Sequence, residues 1–354
     1  MPHSTLRLAS IALLATGTLA TTAAIAAPPV YRIEAVAKEH HARPDSALGI
    51  SNSGIVTGSA WMKSRFSDSA FRFKTKSGST RPLLGPDTND AAGWRVNDDG
   101  ATVGWVGHQA WMWDSAGTAQ SLDALMPCDD DNIRSSQGRG INNAGDVVFK
   151  FDCNRSGARV NGSYLYRGGS LVDLGTLGGD YNEVSAINNA GQVVGTSSLP
   201  PDSDGKSYVR AYIWEAGSMR DLGTLGGRAA DTEDINDAGH VVGTAFDATN
   251  DFMHGYWYDG SAMHRLPTCH GSSNWPQPNA INNHDQITGN YYRKGFQAFL
   301  YQKGRCYPLQ NILDASGAGW SRLQAYDIND DGVIVGAGQL NGKSHAFIAT
   351  PVKP

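Results

Sequence analysis

The chain has 354 residues and lacks the features that mark several common functional classes. It has no excess of basic residues, because 29 Lys and Arg face 34 Asp and Glu for a formal net charge of -5. We therefore expect no nucleic-acid partner, since binding to phosphate backbones needs a basic surface. No Gly-x-Ser-x-Gly, His-Glu-x-x-His or Gly-x-x-x-x-Gly-Lys-Ser/Thr motif is present. These absences favour a non-catalytic protein over an enzyme.

Long hydrophobic runs are also missing, apart from one near the start of the sequence. Leu8 to Ala20 is apolar but too short to span a bilayer, and Ala24-Ile25-Ala26 is a small-residue cleavage pattern. We interpret residues 1–26 as a signal peptide and residues 27–354 as one mature domain. The protein is therefore expected to be secreted or periplasmic, without membrane insertion.

Glycine is abundant, with 42 residues, and much of it belongs to one repeated phrase. The phrase is a β-branched residue followed by a polar turn, and its seven copies are Ile50-Ser-Asn-Ser-Gly54, Val96-Asn-Asp-Asp-Gly100, Ile141-Asn-Asn-Ala-Gly145, Ile187-Asn-Asn-Ala-Gly191, Ile235-Asn-Asp-Ala-Gly239, Ile281-Asn-Asn-His-Asp285 and Ile328-Asn-Asp-Asp-Gly332. The starts are 46, 45, 46, 48, 46 and 47 residues apart. Such regular spacing predicts a single repeat domain.

Each repeat contains the signals of four β-strands. The polar turn, with Asn at its start and Gly at its end, joins two of them. A glycine then recurs in the second strand, at residues 58, 104, 195, 243, 289 and 336, and this predicts the close approach of another backbone, as between packed sheets. Aromatic residues alternate with period two in the third strand, as in Tyr212 and Trp214, and a leucine-centred strand follows. We expect the aromatic side chains to fill the core between sheets.

Four-stranded units of this length predict a seven-bladed β-propeller. The seventh unit stops before its fourth strand, whereas the segment Val30 to Val36 supplies an extra strand ahead of the first unit. We expect this N-terminal strand to complete the last blade and close the ring. A β-solenoid is the alternative, but it would need capping units at both ends.

The four cysteines favour two disulfides over a metal site, since the chain is expected to be exported. Cys128 precedes the first strand of its unit and Cys153 follows the second, so an antiparallel hairpin brings them to the same end. We predict this pair. Cys269 with Cys306 follows by elimination and links adjacent units.

Several phrases resemble the repeats of the bacterial extracellular HAF family, among them Asp221-Leu-Gly-Thr-Leu-Gly-Gly227, Ile187-Asn-Asn-Ala-Gly-Gln-Val-Val-Gly195 and His345-Ala-Phe347. The resemblance covers essentially the whole mature chain and implies an exported repeat protein. It implies no catalytic or ligand-binding residues.

Function is expected in the connections that do not repeat, because the repeated residues are explained by the fold. In a propeller, the connections into the innermost strands and those between second and third strands meet on one face. The candidate binding residues on these connections are Trp275, Trp320, Tyr181, His270, Asp130, Asp131 and Arg134. No cofactor is expected; the one weak calcium candidate is the turn Asp129 to Asn132, whose acids a solvated turn explains equally well.

Three functions remain open at this point. The first is an exported binding or scaffold module for a carbohydrate or protein ligand. The second is a polysaccharide-acting hydrolase or lyase with acidic residues at the channel mouth, and the third is a structural component of the envelope or matrix. The sequence specifies no catalytic residues, ligand or oligomeric state.

Overall fold

The computed structural model describes residues 27–36, 42–62, 67–83, 90–129, 133–269 and 275–353, and it is a seven-bladed β-propeller. Each blade is a four-stranded antiparallel sheet, and the innermost strands of neighbouring blades contact each other around a central channel. The predicted propeller is confirmed, and the alternative solenoid is wrong.

The first strand, β1 (Tyr31–Ala35), belongs to the last blade. Blades 1 to 3 are, from the innermost strand outward, β2 (Ala42–Ile50), β3 (Ile55–Met62), β4 (Ser67–Lys74) and β5 (Ser79–Leu83); β6 (Ala91–Val96), β7 (Thr102–Val106), β8 (Gln109–Trp113) and β9 (Ala119–Ser121); and β10 (Ile133–Ile141), β11 (Val147–Arg155), β12 (Ala158–Arg167) and β13 (Ser170–Asp173).

Blades 4 to 6 follow in the same order, and blade 7 has three strands of its own. They are β14 (Asn182–Ile187), β15 (Val193–Ser198), β16 (Val209–Glu215) and β17 (Ser218–Asp221); β18 (Gly226–Ile235), β19 (Val241–Asp247), β20 (Met253–Tyr258) and β21 (Met263–Arg265); β22 (Gln277–Ile281), β23 (Ile287–Tyr292), β24 (Phe296–Gln302) and β25 (Arg305–Pro308); and β26 (Trp320–Ile328), β27 (Ile334–Leu340) and β28 (Lys343–Pro351). Short 3-10 helices lie at Asp123–Leu125, Leu309–Ile312 and Ala315–Gly317.

The ring is closed by β1, as predicted. This strand pairs antiparallel with β28, from Tyr31 opposite Pro351 to Ala35 opposite Phe347. Tyr31 and Ile33 are buried in the core cluster of the last blade. The closing strand therefore removes the open sheet edge and also adds apolar contacts.

The alternating aromatic residues of the third strands form the core, as expected. Phe71, Tyr212, Tyr256, Phe299 and Phe347 are all fully buried. Each core cluster combines residues from neighbouring blades, so the hydrophobic effect holds the sheets face to face around the ring.

The repeated polar turns do more than reverse the chain. The glycine of each turn has a positive φ, such as 78° at Gly191, and Asp285 takes the same conformation at 56° in the unit without glycine. The side chain of each turn asparagine also accepts a hydrogen bond from the amide four residues later, as Asn188 does from Gln192. The turns therefore keep one shape in all seven blades.

These turns also join the blades in two hydrogen-bonded rings at one end of the channel, which we call the turn face. In the inner ring, each asparagine Nδ2 donates to the backbone carbonyl of its counterpart in the next blade, as Asn188 does to Asn236. In the outer ring, six side-chain oxygens accept from the preceding counterpart's amide, as Asp237 does from Asn189, whereas Asp98 accepts from the amide of Ser53. The inner ring comprises Ser51, Asn97, Asn142, Asn188, Asn236, Asn282 and Asn329, and the outer ring comprises Asn52, Asp98, Asn143, Asn189, Asp237, Asn283 and Asp330.

The recurring strand glycine has a different role from the one predicted. It lies opposite the innermost strand of its own blade, not against a neighbouring sheet: a Cβ on Gly243 would overlap the carbonyl oxygen of Asp231. The strand pairing skips one innermost residue next to each of these positions. The glycine therefore makes room for a β-bulge.

Both predicted disulfides are present. Cys128 is bonded to Cys153 and Cys269 to Cys306, so all four cysteines are paired. Paired cysteines are typical of proteins that mature in an oxidising compartment, and they fit an exported protein.

Candidate functional site

The seven β-bulges place one extra side chain per blade toward the channel. Each bulged residue stands two positions before the aliphatic residue that begins the repeated phrase. Because a bulge redirects its side chain, these residues line the channel on the side away from the turn face, which we call the variable face. We name the set the bulge ring, and it comprises Leu48, Trp94, Arg139, Ser185, Glu233, Asn279 and Tyr326.

The bulge ring has a different amino acid in every blade. The neighbouring positions repeat, with glycine across the sheet in six blades, Phe149 in blade 3, and an aliphatic residue two places later in all seven. The bulged position is therefore the one that varies inside a repeated frame. Sequence reasoning that looks for function only in the loops does not find this position, because it lies within a strand. An alignment of the seven repeats on their turns shows that the residue two places before the repeated phrase differs in every unit.

The channel widens into a cavity on the variable face. Two adjoining cavities of about 520 and 500 Å³ share Arg139, Ser185 and Glu233 in their walls, and we call the two together the upper cavity. Cavities of several hundred Å³ are large enough for a small polar ligand. At the turn face a separate cavity of about 140 Å³ is lined by the asparagine rings and the aliphatic residues beside them. The two ends of the channel share no lining residue.

One side of the upper cavity carries charged groups around Glu183. Lys150 Nζ and Tyr181 Oη lie 2.7 and 2.6 Å from the two oxygens of this carboxylate. Arg139 Nη2 lies 3.6 Å from the Oε1 atom that Lys150 contacts. Burial alone would raise the pKa of Glu183, but these hydrogen bonds and charges outweigh it and lower the pKa. Glu183 is therefore held ionised.

Glu233 faces the same cavity in a different environment. It forms no hydrogen bond or salt bridge with another described residue, and burial raises its pKa against the opposing charges of Arg139 and Arg95. The neighbouring Asp231 also has a raised pKa because of burial, partly offset by its hydrogen bond with Thr196. Two carboxyl groups in this wall are therefore closer to the neutral form than free carboxylates are.

Arg139 is the least satisfied cation of the cavity. Its Nε is buried and has no hydrogen-bond partner among the described residues, and its guanidinium lies 5.1 Å from the ring centre of Trp94. By contrast, Arg95 donates to the carbonyl of Leu48 at 3.0 Å and lies 4.0 Å from Asp327. The N–H at Nε is therefore a donor that no described residue uses.

The other side of the cavity is aromatic and amide-rich. Trp94, Tyr326 and Phe296 contribute ring surface, and Gln277 and Asn279 contribute amides. The cavity therefore combines charged groups with an aromatic and amide-rich part of its wall. This combination provides donors, acceptors and flat apolar surface in one space.

Of the residues proposed from the sequence, the structure places Tyr181 at this cavity. Trp275 lies elsewhere, with the Arg265 guanidinium 4.0 Å from its ring centre and the His254 ring at 4.1 Å. Trp320 is only 6% exposed and packs against Phe347, so its ring offers little surface to a ligand. The structure does not bring the three aromatic candidates together.

The remaining candidates stay predictions. His270, Asp130 and Asp131 lie outside the described residues, and Arg134 is described only as part of the backbone of β10. The carboxylate of Asp129 accepts hydrogen bonds from the amides of Ser156 and Gly157, so it caps a hairpin turn. Within the described ranges, no group of three metal-ligating side chains is found. The calcium hypothesis is thus neither supported nor tested.

Comparison with known proteins defines the class of fold. No protein-family model and no curated protein matches this chain. The chain is similar to the β-propeller domain of the Trilobed protease from Pyrococcus furiosus, with 11% identity, a TM-score of 0.51 and coverage of 89% of this chain and 98% of that one. It is also similar to oligogalacturonate lyase from Vibrio parahaemolyticus, with 10% identity, a TM-score of 0.54 and coverage of 90% and 93%.

A structure of oligogalacturonate lyase in complex with manganese matches with 9% identity and a TM-score of 0.57, covering 92% of this chain and 97% of that one. At this level of identity the similarity shows the fold alone. The chain is therefore a β-propeller module, and its function must be argued from its own channel. No helix in the described part of the chain is long and apolar enough to cross a membrane.

Proposed function

We propose that this protein is an exported binding module that takes a saccharide into the upper end of its channel. The observation that carries the proposal is the bulge ring, which places seven different side chains around one cavity on an otherwise repeated scaffold. A symmetric fold needs no such variety for stability. A ligand without sevenfold symmetry does need it.

The chemistry of the two walls suits a hydroxylated ligand. A sugar hydroxyl both donates and accepts hydrogen bonds, so one hydroxyl can bridge the carboxyl of Glu233 and the guanidinium of Arg139. The faces of sugar rings are apolar and pack on aromatic side chains, which Trp94 and Tyr326 provide. A purely apolar ligand would leave the buried Nε of Arg139 without an acceptor.

Export remains part of the proposal. The two disulfides fit an oxidising compartment, and the predicted signal peptide and the resemblance to the HAF repeats agree with it. We expect the chain to be secreted or periplasmic, with cleavage after residue 26. Mass spectrometry of the protein recovered from outside the cytoplasm would locate the new N-terminus.

Glycoside hydrolysis is the second candidate function. Glu183 and Glu233 share the cavity wall and their pKa values are shifted in opposite directions, the first lowered and the second raised. Glycosidases use one protonated and one ionised carboxyl group to break a glycosidic bond. If this function holds, bound oligosaccharides will release new reducing ends, and Glu233→Gln will stop the release while binding persists. Intact oligosaccharides after prolonged incubation with the wild type would reject it.

Binding is tested by calorimetric titration of residues 27–354 with dimers and hexamers of glucose, N-acetylglucosamine and galacturonic acid. The last sugar is included because two of the similar structures are oligogalacturonate lyases. We expect at least one sugar to bind. Arg139→Gln and Glu233→Ala should each weaken it by about tenfold or more, since a hydrogen bond to a charged group contributes about 1.5–3 kcal/mol.

Asp237→Asn is the matched control, because Asp237 lines the channel at the turn face and contacts only the outer ring. It should leave the affinity unchanged. The proposal would be overturned if none of the sugars bound. It would also be overturned if the Arg139 and Glu233 variants bound the sugar as tightly as the wild type does.

A further inference from the structure

The hairpin between β23 and β24 exposes two aromatic side chains on the variable face. Tyr292 is 66% exposed and Phe296 is 47% exposed, and their ring centres are 5.8 Å apart in an edge-to-face arrangement. Arg293 and Lys294 stand between them at the tip. A propeller with a filled core gains nothing from two large exposed rings, so their position calls for a partner.

This hairpin is continuous with the upper cavity. Phe296 lines the cavity beside Gln277 and Asn290, whereas Tyr292 lies outside the lining. The edge-to-face contact therefore connects the Phe296 ring, which lines the cavity, to the Tyr292 ring outside it. A chain molecule with one end in the cavity would leave it across Phe296 and reach Tyr292.

The cavity itself suits the end of a chain. Its walls share no residue with the cavity at the turn face. Arg95 also lines this cavity, and its Nη1 lies 4.0 Å from Asp327. We therefore expect a long ligand to continue outward over the variable face.

We infer that the Tyr292–Phe296 hairpin is a second subsite, which binds the saccharide units that follow the one in the channel. This inference rests on the proposed function. The occupant is the same polar chain, because sugar rings present apolar faces to aromatic side chains and hydroxyls to the neighbouring Arg293 and Lys294. Occupation of the subsite makes affinity depend on chain length.

The test compares dimers with hexamers of the same three sugars in calorimetric titrations. Tyr292→Ala should weaken binding of the hexamer by about two- to tenfold, the size of an aromatic contact, and leave the dimer unchanged. Tyr292→Phe should retain the hexamer affinity, since the ring makes the contact. Phe296→Ala should weaken both ligands, because this side chain also lines the cavity.

Phe252→Ala is the control. Phe252 is 61% exposed on the corresponding connection of blade 5 but does not line the cavity. It should change neither affinity. Dimer and hexamer binding with equal affinity, or an equal loss for both in Tyr292→Ala, overturns the subsite and leaves the channel site intact. Binding of no sugar at all overturns both.

Discussion

The two ends of the channel are lined by residues of different kinds. At the turn face, nearly identical asparagine and aspartate residues from seven blades form two hydrogen-bonded rings. At the variable face, the seven members of the bulge ring are all different. The bulge ring lies on the innermost strands, and the asparagine and aspartate rings lie in the turns that follow these strands, only a few residues further along the chain. Repetition in this chain marks the scaffold, and variation inside the repeated frame marks the candidate site.

The two regions depend on each other through the bulge. In six blades the strand glycine makes room for the bulge, in blade 3 the bulge forms opposite Phe149, and in every blade the bulge points a variable residue toward the channel. The repeated turn then fixes the end of the same strand. A constant frame thus presents a side chain that can change without loss of the fold.

The largest effect should come from removing what both ends require, the closed ring. Deletion of residues 27–36 removes β1, with its pairing to β28 and the buried Tyr31 and Ile33. We expect loss of cooperative thermal unfolding, because the last blade then has an open edge and a gap in its core. A shortened protein that unfolds at the same temperature as the parent would show that closure is dispensable.

A smaller effect is expected from substituting a strand glycine that makes room for a bulge. In Gly243→Ala, the new methyl group overlaps the Asp231 carbonyl, and we expect a loss of about 1–3 kcal/mol in the free energy of unfolding. The bulge at Glu233 must then shift, so ligand affinity should fall as well. Urea unfolding and titration measure the two effects. Unchanged stability would mean that the glycine does not make room for the bulge.

The charged side chains of Arg95, Asp234 and Asp327 predict a pH effect. Burial raises the pKa of Asp234 to about 7, against the attraction of Arg95 and with added repulsion from Asp327. Its unfolded value is about 3.9, so the native state binds more protons between these two values. The stabilising contribution of Asp234 to the free energy of unfolding is therefore fully present below about pH 4 and is lost as the pH rises through 7.

Asp234→Asn should remove this dependence, because an amide keeps an acceptor for the amide of Ile281 and carries no proton to lose. We expect a flatter curve of unfolding free energy against pH between about 4 and 7, and a higher melting temperature than the wild type at pH 8. An identical pH dependence in both proteins would assign the effect to other groups.

The smallest effects are expected from substitutions in the inner ring at the turn face. The inner ring is broken only at Ser51, which has no amide to donate to the Asn97 carbonyl. Ser51→Asn should complete the ring and add about 1 kcal/mol to stability. Asn188→Ala removes the donor to the Asn236 carbonyl and should lower the free energy of unfolding by about 1–3 kcal/mol. Thermal denaturation measures both, and a less stable Ser51→Asn would contradict the ring.

Most of the fold could be predicted because its signals are local and occur seven times. The turn sequence, the period-two aromatics and the extra strand at residues 30–36 gave the blades and the closure. The pairing of Cys128 with Cys153 followed from the hairpin geometry, and it is confirmed. Each of these turn and strand signals is weak in one repeat, but their recurrence in seven repeats makes the prediction specific.

The site was harder to predict because it depends on contacts between blades. That Lys150 and Arg139 of blade 3 both reach Glu183 of blade 4 follows from the ring geometry, which sequence spacing does not give. The role of the strand glycine was also misjudged, since a bulge within one sheet and contact between two sheets produce the same sequence signal. Trp275 and Trp320 were chosen as loop aromatics, but their rings pack on Arg265 and Phe347.

The central claim is that ligand binds within the bulge ring. A crystal structure of residues 27–354 with the tightest-binding sugar tests it most directly. We predict electron density for the sugar between Arg139, Glu233 and Trp94, with the asparagine rings at the turn face unchanged. Density at the turn face or on the outer strands, with an empty upper cavity, would contradict the account.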